Sequence, residues 1–256
     1  MPRLAKLTIS LFVSSLAFGQ YPADLLQQAK ALLETSPTPR LRAIARLREA
    51  NSIWDGSPGN DPARAESLDL LAILLRGATG IALWRADAAS LTAKALEIRE
   101  ALADNQPSED LALALELQAD ALGREDAGAP LWQRAFEIRR KRINDLEQAV
   151  RIEHPLAPPD FPTPAAGPLS APKVTTKIDP QYSAMARLAK ISCTVQLGVV
   201  VNPEGTAQDL RLRRACGYGM DERAAEAVMQ WRFQPGTKGT QPVLMRATIE
   251  VHFRLL

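Results

Sequence analysis

Histidine is almost missing from this chain: its 256 residues include two, His154 and His252, far apart. The cysteines also number two, and neither histidine stands at a metal-ligand spacing, so no metal site can be assembled from them. There is no GxSxG elbow, Walker-type loop, dinucleotide fingerprint or HExxH pair. Cys216-Gly217-Tyr218-Gly219 has the look of a nucleophile turn, but no histidine lies near it in sequence. The expectation is therefore a protein that is not an enzyme, with no cofactor, no metal and no small-molecule substrate. A formal charge of +2 is too small to make nucleic acid the main partner. Past the first 20 residues, no segment is long and apolar enough to span a bilayer.

Several features stand out against these absences. Arg3 and Lys6 precede an apolar run of about 12 residues, short of the roughly 20 that cross a membrane. Ala17-Phe18-Gly19 then supplies small residues at the cleavage-specifying positions. Residues 1–19 read as a cleaved secretory signal, with Gln20 the first mature residue and the periplasm the destination. The alternative keeps those residues as an inner-membrane anchor facing the periplasm. Charge is uneven: 17 Lys and Arg against 22 Asp and Glu over residues 20–172, but 12 against 7 over residues 173–256.

Residues 20–153 read as helices. Residues 23–34 and 39–54 carry apolar residues every three or four positions, with Leu25, Leu26, Ala29, Leu32 and Leu33 on one stripe. A weak repeat follows, with helical units recurring after 48 and then 40 residues, beginning at Leu47, Ala95 and Ala135. Such periods mark α-solenoids. "LTAKALEIR" at 91–99, the helix at 111–123 and "LWQRAFEIRRKRI" at 131–143 resemble tetratricopeptide repeats of the long-period, kinesin-light-chain kind. Ala95, Ala119 and Ala135 match the small residues at which those helices touch. The resemblance implies either a peptide-binding groove or a helical spacer.

"HPLAPPDFPTPAAGPLSAP", residues 154–172, excludes helix and favours extended chain, a linker reaching about 60 Å at most. Residues 173–256 then read as one small α+β domain. Asp179-Pro180 is expected to cap a helix running to about Lys190, with Tyr182, Met185, Ala186 and Ala189 inward. Strands at 193–201 and 206–215 flank a turn at 202–205 that ends in Gly205. Asp221 is expected to cap a second helix running to Trp231. From Val243 to Leu255 the odd positions are all apolar and the even ones, Leu244 excepted, polar, which marks a half-buried antiparallel strand. Nothing follows but Leu256, so this strand is either an open sheet edge or the last piece of a small core. Cys193 and Cys216 share parity with the apolar residues of their strands, and the hairpin brings them together as a disulfide or as two buried thiols.

Asp179-Pro180-Gln181-Tyr182, the run Val199-Val200-Val201-Asn202-Pro203-Glu204-Gly205, and Gly219-Met220-Asp221 with Ala224 and Ala225 carry a second resemblance. Gln230-Trp231-Arg232-Phe233-Gln234-Pro235-Gly236 and the alternating last strand complete it. Together they resemble the C-terminal domain of the TonB family, the periplasmic energy transducers of outer-membrane transport. The resemblance implies a three-stranded antiparallel sheet with two helices. It also implies capture of an extended periplasmic segment of an outer-membrane receptor by strand addition at the last strand. The positions facing that partner would be Arg246, Thr248, Glu250, His252 and Arg254, while Trp231 and Phe233 would hold the second helix to the sheet. A short spacer and a cleavable N-terminus depart from an energy transducer. The reading is a periplasmic binding or adaptor protein; its alternatives are an anchored transducer and a helical scaffold that forms a homodimer through the terminal domain.

Overall fold

A computed structural model describes residues 15–35, 40–56, 59–79, 81–103, 107–153 and 168–255. Residues 1–14 of the expected signal and 154–167 of the expected linker lie outside them. The fold is α+β. Six helices come first: α1 (Ser15–Thr35), α2 (Arg40–Asp55), α3 (Pro62–Thr79), α4 (Ile81–Ala103), α5 (Glu109–Leu122) and α6 (Ala129–Glu153). The first helix runs through the expected cleavage point at Gln20 rather than starting near Ala23.

Each helix packs on the next, and α1, α3 and α5 also touch in turn, as alternate helices of a solenoid layer do. The apolar stripes explain the stacking: Leu25, Leu26, Ala43, Leu47, Leu71 and Leu74 close one core, and Leu111, Leu115, Ala135 and Ile138 another. Ser108 caps α5, accepting the Leu111 amide at 3.0 Å. A π-helical turn (Gly123–Ala127) joins α5 to α6. Gly128 lets the two helices meet, since a Cβ there would fall 2.2 Å from the Ala119 carbonyl oxygen.

The second half holds β1 (Leu169–Ser170), β2 (Lys173–Thr176), α7 (Ala184–Leu188), β3 (Cys193–Val201), β4 (Ala207–Arg214), α8 (Met220–Gln230), β5 (Arg232–Gln234), β6 (Thr237–Lys238), β7 (Gln241–Pro242) and β8 (Met245–Phe253). The main sheet is antiparallel in the order β4-β3-β8. Val195, Leu197, Val199, Val201, Leu210, Leu212, Val251 and Phe253 line its dry face and share one core with Ala186 of α7 and Ala224, Ala225 and Val228 of α8. Two small ribbons, β2-β5 and β1-β6-β7, go beyond the expected three strands. Through β1, residues assigned to the linker pair with Lys238 and Thr237.

Two caps differ from expectation. Asp179 is exposed and outside any helix; Ser183 caps the short α7 instead, accepting the Ala186 amide at 3.0 Å. A hydroxyl one residue before the helix outcompetes a carboxylate five residues away. Likewise Gly219, in left-handed conformation, caps α8. Asp221 sits inside the first turn, where its carboxylate accepts the amides of Cys216 (2.7 Å) and Gly217 (3.0 Å). It thus fastens the loop before the helix rather than the helix start.

The two halves are not separate bodies on a tether. One core cluster includes Ile73, Trp84, Leu117 and Ile143 together with the sheet's dry face. Arg139 of α6, 1% exposed, donates to Glu116 at 2.8 and 3.1 Å and to Glu222 of α8 at 3.0 Å. Glu116 also accepts the Tyr218 amide at 2.6 Å. Beside this, the Tyr218 hydroxyl donates to Asp120 at 2.5 Å, and Arg76 and Arg124 bond the same carboxylate. Burial pushes Asp120 up, but the hydrogen bond and charge of Arg124, with the charge of Arg76, hold it below the usual carboxylate range. Glu222 is likewise held low, Arg139 outweighing its burial.

Candidate strand-accepting edge

Strand β3 is saturated, pairing with β4 on one side and β8 on the other. The two outer strands therefore decide what the sheet can do. At β4 the ladder breaks: Gly198 faces Arg211 and Val200 faces Gln208, so Asp209 and Leu210 oppose Val199 alone. Asp209 adopts a left-handed φ of 53°, a conformation aspartate tolerates better than most residues. The bulge turns the amides of Asp209 and Leu210 outward, where the Glu147 carboxylate of α6 accepts both, at 2.5 and 2.9 Å. That flank of the sheet is closed by the protein itself.

Strand β8 is different. Among the described residues its only strand neighbour is β3, paired without a break from Cys193↔Phe253 to Val201↔Met245. Its other side carries a nine-residue row of main-chain groups with no paired strand, the feature by which one chain adds to another. Side chains alternate as the sequence implies. Val251 and Phe253 are buried, while Arg246, Thr248, Glu250 and His252 are exposed on the wet face, and exposed Arg254 lies just past the strand end. Gln196 donates to Glu250 at 2.8 Å, and Thr194 and the His252 Nδ1 lie 2.9 Å apart, so two of these side chains grip β3. Arg246 and Thr248 also border a shallow hollow of about 250 Å³ over Gly198, shared with Arg211 and Arg213 of β4.

The remaining residues singled out from the sequence are structural. The Trp231 indole ends α8 and donates to the Ile178 carbonyl at 2.8 Å. Phe233, buried beside it, donates its amide to the Gly205 carbonyl at 2.8 Å. Gly205 has φ 77°, and a Cβ there would fall 2.1 Å from the Phe233 oxygen. Pro180 and Pro235 are half-buried. The Tyr182 ring meets Phe253 edge-on at 5.5 Å, and its hydroxyl donates to the Ile191 carbonyl at 2.5 Å. Cys193 and Cys216 form a disulfide with Cα atoms 6.0 Å apart, which settles the choice left by parity alone. Glu147, Asp209 and the Arg139 cluster went unread in the sequence. A charged residue inside a helical stripe looks the same whether it meets water or another domain.

Among the described residues, geometry thus defines an α+β module with β8 as the open edge of a three-stranded antiparallel sheet. Residues 178–255 match the family model described as the Gram-negative bacterial TonB protein C-terminal, and this part of the chain is a TonB C-terminal domain. Curated relatives named protein TonB agree. That of Klebsiella pneumoniae is 32% identical over 102 residues, 38% of this chain and 40% of the relative. That of Vibrio cholerae serotype O1 is 30% identical over 83 residues, 32% and 34% of the two chains. That of Escherichia coli K12 is 30% identical over 78 residues, 30% and 33%. The chain therefore spans well under half the length of these relatives. A solution structure of the Pseudomonas aeruginosa TonB C-terminal domain aligns at 25% identity over 34% of this chain and 88% of that one, with a TM-score of 0.29. No described helix is long and apolar enough to cross a membrane.

Proposed function

We propose that this protein is an exported, periplasmic binding component of outer-membrane transport, and that β8 accepts an extended segment of a partner protein as an added strand. The observation that carries this reading is the position of β8 at the end of the order β4-β3-β8, with Glu147 closing the opposite flank. Main-chain hydrogen bonds would supply affinity without any chemistry, and Arg246, Thr248, Glu250, His252 and Arg254 would tune the choice of segment. The partner is the periplasmic segment of an outer-membrane receptor. The domain scheme is a signal over 1–19, helical repeats over 20–153, a linker over 154–172 and the TonB-type domain over 173–256. The Cys193–Cys216 disulfide suits an oxidising compartment.

Placing a photo-crosslinking amino acid at Thr248 of the intact chain in Gram-negative cells tests this. An outer-membrane protein captured from Thr248, but not from exposed Arg223 on α8, supports the reading. Equal capture from both, or none from Thr248, overturns it. Sequencing the exported protein's N-terminus decides the location: a start at Gln20 excludes an anchored transducer.

A further inference from the structure

A cavity of about 620 Å³ lies where α7 meets the helical half. Leu33, Leu70 and Leu113 form its apolar lining on one side, and Met185 and Leu188 of α7 on the other. The site therefore exists only when the two halves are docked. Its charged lining is unbalanced: Glu34, Glu66, Asp69 and Asp110 against Lys30 and Arg99. Lys30 is taken up by Glu66 at 2.7 Å. Arg99 divides itself between Asp69 at 3.4 Å and Asp110 at 3.1 Å, so one guanidinium serves two carboxylates.

Asp69 is the unusual member. It is 3% exposed, and its buried Oδ1 has no hydrogen-bond partner. Buried carboxylate oxygens are nearly always hydrogen-bonded, and a bare one asks for a donor. Burial pushes this carboxyl up to about 7, with Asp110 and Glu66 adding to the shift against the pull of Arg99. A water molecule could bond Oδ1, but it would neither offset the excess of carboxylates in the lining nor fill a chamber of this size. The size falls within the range of small-ligand pockets, and domain junctions are where such pockets concentrate.

We propose that this cavity binds a small ligand carrying a protonated amine on an apolar body, with the ammonium donating to Asp69 Oδ1 and the body resting on Leu70, Met185 and Leu188. The site is separate from β8 and does not depend on strand addition. Two matched probes test it: n-hexylammonium and uncharged 1-hexanol, titrated into the intact, disulfide-bonded chain labelled with ¹³C-methyl methionine. The expected result is a saturating shift of the Met185 methyl, with hexylammonium bound about tenfold more tightly than hexanol. Asp69→Asn should remove that preference and leave hexanol binding unchanged, while the other methionine signals report an intact fold. Should Asp69→Asn fail to fold, Asp110→Asn, whose carboxylate is largely exposed, carries the test, with hexylammonium weakened about twofold and hexanol unaffected. No saturating shift at Met185, equal binding of the two probes, or no effect of either substitution on hexylammonium overturns the proposal.

Discussion

Replacing Arg139 with methionine probes the join between the two halves. The guanidinium and the Glu116 carboxylate it grips are each 1% exposed, and the same arginine reaches Glu222 at 3.0 Å. Methionine fills much of the volume but supplies no donors, so Glu116 keeps only the Tyr218 amide at 2.6 Å, while Glu222 keeps Arg142 at 2.9 Å. Breaking a buried pair by removing one partner costs about 3–5 kcal/mol, most of it the desolvation of the charge left behind. At roughly 2–4 °C per kcal/mol for a chain of this size, the thermal midpoint should fall by about 6–20 °C. Calorimetry of the disulfide-bonded chain at neutral pH reads this directly. Adding Glu116→Gln, which keeps an acceptor for the Tyr218 amide but discharges the group, should recover about 2 kcal/mol of the loss. A single substitution costing under about 1 kcal/mol, or a double variant as unstable as the two losses summed, would refute a buried ionic junction.

Three further expectations concern the terminal domain and pH. Gly205→Ala should cost more than about 1 kcal/mol and lower the urea midpoint, because a Cβ at φ 77° meets the Phe233 oxygen at 2.1 Å. Reducing the Cys193–Cys216 bond, which closes a separation of 23 residues, should cost about 3 kcal/mol of unfolding free energy, measured with and without reductant. Burial pushes Asp69 and Asp221 up to about 7, from 3.8 in the unfolded chain. The folded state thus holds their protons more tightly, so the stability they contribute is full below about pH 4 and falls as pH rises to about 7. Urea midpoints at about pH 5 and pH 8 should differ in that sense, and Asp221→Asn should reduce the difference.

Strands were the most legible part of the sequence. The bounds of β3 came out as read, and the alternation from Val243 onward produced β8, because a period of two with one dry face admits a single register. Helix existence was legible for the same reason, through apolar spacing, but caps were not. Asp179 and Asp221 both satisfied a composition rule that Ser183 and Gly219 satisfied with better geometry. The open side of β8 was an expectation from chain order. The closed side of β4 was not, because the bulge at Asp209 and the reach of Glu147 depend on how α6 is docked. Docking itself hid behind the proline-rich stretch, which read as a linker between two domains and said nothing of how they meet. Arg139, Glu116 and Glu222 read as ordinary charges on helix surfaces until packing made those surfaces face each other.

The carboxylate of Glu147 has a consequence for assembly. A ribbon open on both flanks can seed an endless stack, each newcomer exposing a fresh template for the next. Here α6 occupies one flank, so two copies meeting through β8 would form a pair whose main sheets, among the described residues, end on helices rather than on open strands. The same helix that anchors one half to the other thus also occupies the flank from which such a stack would grow.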